Sequence, residues 1–594
     1  ASGATTAAGA NAAHAIPPRA IVPMPRTGLT FPRSHTSWAV VLPRAVPVAY
    51  AVAGSVDTEF SLMHDTTHAP STASPSGRRD PTGIGIAVIL AGYCLAALAG
   101  WPQHGRDLLV AAQAAHDVAT GAADDAHEPG HAAGEAHAAT AAPPSVTVIP
   151  FVLLLAAIAI LPLAPVASHW WEHNSSKLLV AGLLGLVTLA YYAFVHRGGV
   201  DLHFPVHSVV PSAETGPSWS AAAAVLANAF LAEYVPFIVL LFALYVITGG
   251  VRIEGDLEAT PTVNAAFLGT GALAASFIGT TGAAMLLVRP LLETNRERRH
   301  VAHTLVFFIF MVCNCGGCLL PIGDPPLFLG YLQGVDFFWT LSLWKPWLVT
   351  NGLLLAIYWV WDTFLAHPRE TARDVARDAR LAGRLRLSGL WPNAPLMAGV
   401  IAAVALLDPS KAVPGTTWHP WIFLREAVLL GLVGLSLALG SRDVRRRNGF
   451  TYGAILEVAA LFVGIFVCMQ PALALLEEHG ASLGLESARA FFWATGSLSA
   501  VLDNAPTYLV FFKTAQALPP AGPAIAGVDE ARLAAVSLGA VFLGAMTYIG
   551  NGPNFMVKAI AEQAGVKMPS FFGYVVYSLG VLLPIFVFVS LLFL

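Results

Sequence analysis

The stretch Pro321-Ile322-Gly323-Asp324-Pro325-Pro326-Leu327-Phe328 sits inside a hydrophobic run, and 227 residues further on Tyr548-Ile549-Gly550-Asn551-Gly552-Pro553-Asn554-Phe555 repeats its pattern. Proline donates no backbone hydrogen bond and disfavours helix in the residue before it, so both stretches predict helices that break in apolar surroundings. In hydrocarbon each unpaired backbone group costs several kcal/mol, so such breaks persist only inside protein or beside a water-filled site.

The repeat extends outward from these breaks. Ser276-Phe277-Ile278-Gly279-Thr280-Thr281-Gly282 precedes the first and Ser499-Ala500-Val501-Leu502-Asp503-Asn504-Ala505 precedes the second, with Thr280 and Asn504 separated by 224 residues. Earlier still, Glu233-Tyr234-Val235-Pro236 and Glu457-Val458-Ala459-Ala460 open hydrophobic runs, again 224 apart. Three matched features in one order indicate a duplicated unit. Each half holds one segment with a polar centre and one broken by Gly and Pro, and paired interruptions of this kind point to an ion or substrate site near a bilayer midplane.

Composition agrees. Of 594 residues, 56% are apolar and 11% charged, whereas soluble domains carry about a quarter charged residues. Apolar stretches recur at 148–163, 178–194, 234–247, 353–365, 396–407, 428–439, 455–469 and 571–594. With about 20 residues per crossing, they predict an all-α polytopic membrane protein of about 11 to 13 membrane elements. The net charge of −4 says little, and no basic tract reads as a nucleic-acid surface. No phosphate loop or His-Glu zinc motif is present, which argues against an ATPase within this chain and against an enzyme of the metalloprotease kind.

The expected organisation is a disordered tail over 1–80, a first transmembrane helix or signal peptide with a His/Ala-rich loop over 81–146, and a first transporter repeat over 147–366. An Arg-rich linker over 367–390 and a second repeat over 391–594 follow. His104, His116, His127, His131 and His137, beside Asp124 and Asp125, read as a solvated linker. Cysteines 94, 313, 315, 318 and 468 lie in hydrophobic runs, which favours neither a disulfide framework nor a metal knuckle at Cys313–Cys318.

Arginines cluster at 369, 373, 377, 380, 384 and 386, at 442, 445, 446 and 447, and at 296, 298 and 299. The positive-inside rule places all three loops in the cytoplasm, with the Arg-poor loops bearing Glu477, Glu478, Asp529 and Glu530 outside. Lys558 and Lys567 then also fall inside, provided that 264–292 and 491–514 dip into the membrane and return. Re-entrant hairpins with tips at Gly279–Gly282 and Leu502–Ala505 meet this condition, because arms of 12 to 16 residues reach about 18 to 24 Å. The two repeats are then inverted, and the acidic loop of Glu254, Asp256 and Glu258 is cytoplasmic.

Ionisable groups at membrane depth are functional candidates by default. Asp503 and Asp324 head the list: desolvation favours a neutral carboxyl and a bound cation favours the charged one, so proton and cation compete for it. Hard Na⁺ takes oxygen ligands, which Asp503, Asn504 and Thr280 could supply as the metal set. The wider set of ion- or substrate-binding residues is Thr280, Thr281, Gly282, Asn314, Gly323, Asp324, Asp503, Asn504, Thr507, Thr547, Gly550 and Asn551. Glu233 and Glu457 are further proton carriers or interfacial structural groups, and Asp324 has a competing reading as a helix cap.

At these residues, and over roughly 147–594, the sequence resembles the ion transporter superfamily, which holds NhaD-type sodium/proton antiporters, arsenite pumps, citrate transporters and dicarboxylate transporters. The closest resemblance is to sodium:proton antiporters and citrate transporters, carried by 276–290, 314–330, 457–471, 502–511 and 547–555, with Trp170-Trp171-Glu172-His173-Asn174 nearby. The resemblance implies two inverted repeats, each with a re-entrant hairpin and a broken helix, in a homodimer of the inner membrane. It places the site at Thr280-Thr281, Asp503-Asn504, Asp324 and Asn551. The Ser-Asn-Thr tips of the sodium/dicarboxylate members are not reproduced. The expected activity is Na⁺(Li⁺)/H⁺ antiport with no cofactor beyond Na⁺. The alternative is Na⁺- or metal-coupled citrate or dicarboxylate transport, with arsenite export and an intramembrane Asp503/Asp324 enzyme behind it.

Overall fold

The computed structural model describes residues 81–124, 142–213 and 215–594. The tail expected over 1–80, and His127, His131, His137 and Asp125, lie outside the described residues. The protein is an all-α polytopic membrane protein; the strands described form three short two-stranded ribbons. Six of the described helices are long and apolar enough to cross a membrane. Among the remaining, mostly shorter helices are three of the four hairpin arms and the helices that flank the two breaks.

Lipid-facing and protein-facing helices differ by pattern. Helix Asn174–Phe194 exposes Leu179, Leu183 and Leu186 on one stripe, and Phe571–Phe593 exposes Phe572, Val576 and Leu591. Such apolar stripes are what hydrocarbon tolerates and water does not. Ala302–Met311 is instead buried along nearly its whole length, as a helix apolar all round must be. It runs directly into the first break.

Helix Pro81–Leu98 is joined at a 64° bend to the next helix and packs on Leu424–Leu439, with the Tyr93 hydroxyl donating to Ile422 O at 3.1 Å. Residues Trp101–Asp124, expected within a solvated linker, are helical. Their Ala-rich composition explains this, since Ala has the highest helix propensity.

Two helical hairpins organise the centre. Arms Pro261–Ile278 and Thr280–Thr294 turn about Gly279, whose φ of +77° only glycine adopts without strain. Their far ends meet again: the Asn264 and Asn295 amides donate to each other at 2.8 and 2.7 Å. Thr260 caps the first arm by accepting from Val263 N. Arms Ala488–Ser499 and Asn504–Gln516 form the second hairpin. Arg532 closes its far end, donating to Glu486 O at 3.1 Å and Pro519 O at 2.9 Å. Arg532→Gln should lower the melting temperature of the detergent-purified protein by a few degrees, through loss of about 1 kcal/mol of hydrogen bonding.

The far ends of the two hairpins lie against different loops. The first is ringed by arginine partners: Arg298 binds Asp362 and approaches Glu370 at 3.8 Å, and Arg299 pairs with Asp374 at 3.0 Å. The acidic 254–258 loop belongs to this face. Glu254 pairs with Arg252 and Arg447 at 2.6 and 2.9 Å, and strand Arg252–Glu254 pairs with Arg386–Ser388 of the linker. The second hairpin ends beside Glu477, which pairs with Lys513 at 2.7 Å. Glu477 lies near the end of helix Gly453–His479, whose 27 residues span about 40 Å from its Arg-flanked start.

Candidate functional site

Both hairpin tips reach the first break. Helix Ala302–Met311 ends before Asn314, whose φ and ψ of −141° and −85° are non-helical, and the chain resumes helix only at Pro325. The second break is its counterpart, running from the turn Gly544–Met546 to Asn551, where helix resumes at Gly552. In both breaks the chain doubles back on itself so closely that only glycine fits. A Cβ on Gly323 would lie 2.2 Å from Gly317 O, and one on Gly550 would lie 2.6 Å from Gly544 O.

Asp324 is the point where these parts meet. Only 1% of it is exposed. Its Oδ1 accepts from the Thr280 hydroxyl at 2.9 Å and the Asn551 amide at 3.1 Å, and its Oδ2 accepts from the Asn504 amide at 2.7 Å. One donor comes from each hairpin tip and one from the second break. Thr280 N also donates to Gly323 O at 2.8 Å, tying tip to break through the backbone. The four residues are two pairs of repeat mates, Thr280 with Asn504 and Asp324 with Asn551, so the duplication folds onto itself about one carboxylate.

Proline chemistry explains why Asp324 is available. An Asp at a helix start normally accepts from the second or third N–H of the helix. Pro325 and Pro326 have none, and Leu327 N turns to the Asp324 carbonyl at 3.1 Å. The helix-cap reading of Asp324 is therefore corrected: its side chain caps nothing. Asp503 takes that task instead, accepting from Ala505 N at 3.2 Å at the start of Asn504–Gln516.

The other expected residues divide. Asn314 is fully buried, donating to Asn554 Oδ1 at 2.7 Å and Ile309 O at 2.8 Å, while Asn551 also reaches Cys313 O at 3.0 Å. Thr281 is half-buried beside the tip, and Gly282 packs against Thr248. Thr507 and Thr547 spend their hydroxyls on Asp503 O and Ala500 O at 2.9 and 2.6 Å. Of the two repeat-mated glutamates, Glu457 is half-exposed and pairs with Lys177 at 2.7 Å, an arrangement that fits an interfacial structural role. Glu233 is buried in the widened turn Asn228–Tyr234, with Gln470 at 3.4 Å. All five cysteines are free.

The sequence profile of the family described as putative citrate transport matches residues 140–594. The chain belongs to this family. None of the curated proteins matches it. Membership makes it a transporter of small ions or carboxylates, and the matched range takes in both hairpins, both breaks and Asp324.

The arrangement offers hard oxygen ligands. The carboxylate of Asp324 stands beside the Asn504 amide, whose Oδ1 is buried and unpaired, and within the first break Asn314 Oδ1 is buried and unpaired as well. A buried acceptor without a donor costs about 1–3 kcal/mol, which a cation would offset. Residues 279–282, 314–324, 502–505 and 547–551 contain two carboxylates and no Lys or Arg. Sequence reasoning missed Ser276, Ser499 and Asn554. Ser276 Oγ donates to Gly316 O in the first break at 2.5 Å, and Ser499 Oγ donates at 2.7 Å to Ala540 O in the helix that leads into the second break. Their separation of 223 residues was the available signal.

Proposed function

We propose that this protein is a secondary transporter that carries citrate together with a cation held at Asp324. The observation that carries the reading is the convergence of Thr280, Asn504 and Asn551 on one buried carboxylate, with the unpaired Asn504 amide oxygen beside it and no basic side chain in the four tips and breaks. A citrate anion entering such a site meets negative charge, so a cation must enter with or before it. Na⁺ or a divalent metal fits this oxygen-rich surrounding.

The two hairpins are read as re-entrant from opposite membrane faces. Support comes from their far ends, one among the arginines of the linker and the other beside Glu477, with tips meeting at one residue. Inverted repeats in a homodimer of the inner membrane complete the reading. Labelled citrate uptake into proteoliposomes tests it. Uptake should require an imposed cation gradient, and gradient-independent uptake would sink the coupling.

A second reading, Na⁺(Li⁺)/H⁺ antiport, is favoured by the pair of carboxylates without a basic partner. Na⁺-induced dequenching of a pH-sensitive dye in everted vesicles, with no citrate present, would select it. Under either reading Asp503→Asn should lower the initial rate by less than about tenfold, because Asn caps helices as well as Asp. A complete loss would return Asp503 to the centre of the site.

A further inference from the structure

Away from Asp324, a second group of metal-ligating side chains is assembled by the ribbon of strands Val200–Leu202 and Ser208–Val210. The pairing of Leu202 with Ser208 closes a loop over 203–207, so His203 and His207 stand at its two ends and face each other. Asp201 lies two residues before His203, and alternate strand residues share a face. Their rings are 4.9 Å apart, and one nitrogen of each imidazole and one carboxylate oxygen of Asp201 all lie within 4.8 Å of one another.

The ribbon is held from below. Buried Asn228 accepts from His203 N at 2.7 Å and donates to Asp201 O at 2.6 Å, so one amide fixes the backbone of two of the three residues. Asn228 opens the widened helical turn Asn228–Tyr234, and that turn carries Glu233. Among the described residues neither imidazole makes a side-chain hydrogen bond. His203 Nε2 and Asp201 Oδ2 are 3.9 Å apart, too far for one. Three donors thus converge without satisfying one another.

We propose that Asp201, His203 and His207 form a binding site for a borderline divalent cation of the zinc class. Two imidazoles and a carboxylate are a three-ligand set that leaves a fourth position open. Zinc ligands stand about 2.0–2.2 Å from the ion, so the side chains close by small rotations with no movement of the ribbon. Glu477 and Lys513 act on His203 electrostatically, which puts the site on the membrane face opposite the Arg-rich loops. It is separate from Asp324, and its ion braces the ribbon against the turn bearing Glu233.

The test uses Co²⁺ as probe on the full-length protein, stripped with chelator in detergent. One Co²⁺ per chain should give the intense visible absorption of a tetrahedral centre, and Zn²⁺ should bleach it. His207→Gln, at an exposed position, should weaken Co²⁺ binding about tenfold or more, as should Asn228→Ala by loosening the ribbon. The double variant His203→Ala/His207→Ala should lose the band. Asp324→Asn should keep it, which separates this site from the transport site. A weak octahedral spectrum in the wild type overturns the proposal, as does a band that survives in His207→Gln at unchanged affinity.

Discussion

Replacing Asp324 with Asn should reduce the initial rate of transport about 100-fold or more, with expression and gel-filtration profile unchanged. The shape is conserved, and the hydrogen bonds can be re-made. The substituted amide would keep one oxygen for Thr280 and Asn551, and Asn504 would turn its own amide to present Oδ1 to the new NH₂. That rotation consumes the very oxygen left unpaired in the wild type, while the only charge bonded by both tips disappears. A hydrogen bond or ligand contact to a charged group contributes about 1.5–3 kcal/mol, and 3 kcal/mol is about a hundredfold. Counterflow of labelled substrate in proteoliposomes measures it. Wild-type rates in Asp324→Asn would show that the convergence on Asp324 is purely structural. Asp324→Ala should do more harm to the fold, because it leaves three donors from three elements aimed at an empty position.

Asp503 stands with Asp324 at the head of the candidates because of its place at a hairpin tip, and the tip is where the structure puts it. What position alone could not reveal was how its side chain is used. A carboxylate one residue before a helix with free N–H groups is drawn to them, and Asp503 is. Pro325 and Pro326 deny Asp324 that outlet, and both prolines were visible in the sequence. The duplication is equally legible: offsets of 224 and 227 in the sequence pair Thr280 with Asn504 and Asp324 with Asn551. Length and hydropathy describe a crossing helix and a hairpin arm alike, so the expectation that 264–292 turns back at Gly279–Gly282 rests on the placement of Arg and Lys. The return of Asn295 to Asn264 is the contact that joins the two arms at their far end. The ribbon ligands escaped notice for a related reason. Asp201, His203 and His207 become neighbours through a strand pairing of three residues each, too short to produce a periodic signal.

Gly323→Ala should be among the most damaging single methyls that can be added to the described residues. The new Cβ would stand 2.2 Å from Gly317 O and 3.0 Å from Ser276 Cα. Both neighbours are backbone, so no rotamer change relieves the contact. Overpacking against side chains costs about 1–3 kcal/mol, and here relief requires moving the 315–318 turn and the first hairpin together. Gly323 O also accepts from Thr280 N, and its successor is Asp324, so displacement by a few tenths of an ångström reaches both partners of the central hydrogen bond. Expected results are a melting temperature lowered by roughly 5–10 °C and loss of transport in whatever protein folds, scaled from about 1 kcal/mol per few degrees. Its repeat mate Gly550→Ala meets Gly544 O at 2.6 Å and Ser499 O at 2.7 Å, and should be damaging to a lesser degree. Gly552→Ala is the control. It opens the helix that follows the second break, two residues beyond Gly550, with nothing within 4 Å of its Cβ, and should behave as wild type in both thermal unfolding and transport. If all three variants behave alike, close backbone approach is not what holds the breaks. If the order is Gly323, Gly550, Gly552, the two glycines are there because each chain reversal leaves no room for a side chain beside the polar group it presents, the Asp324 carboxylate in one and the Asn551 amide in the other.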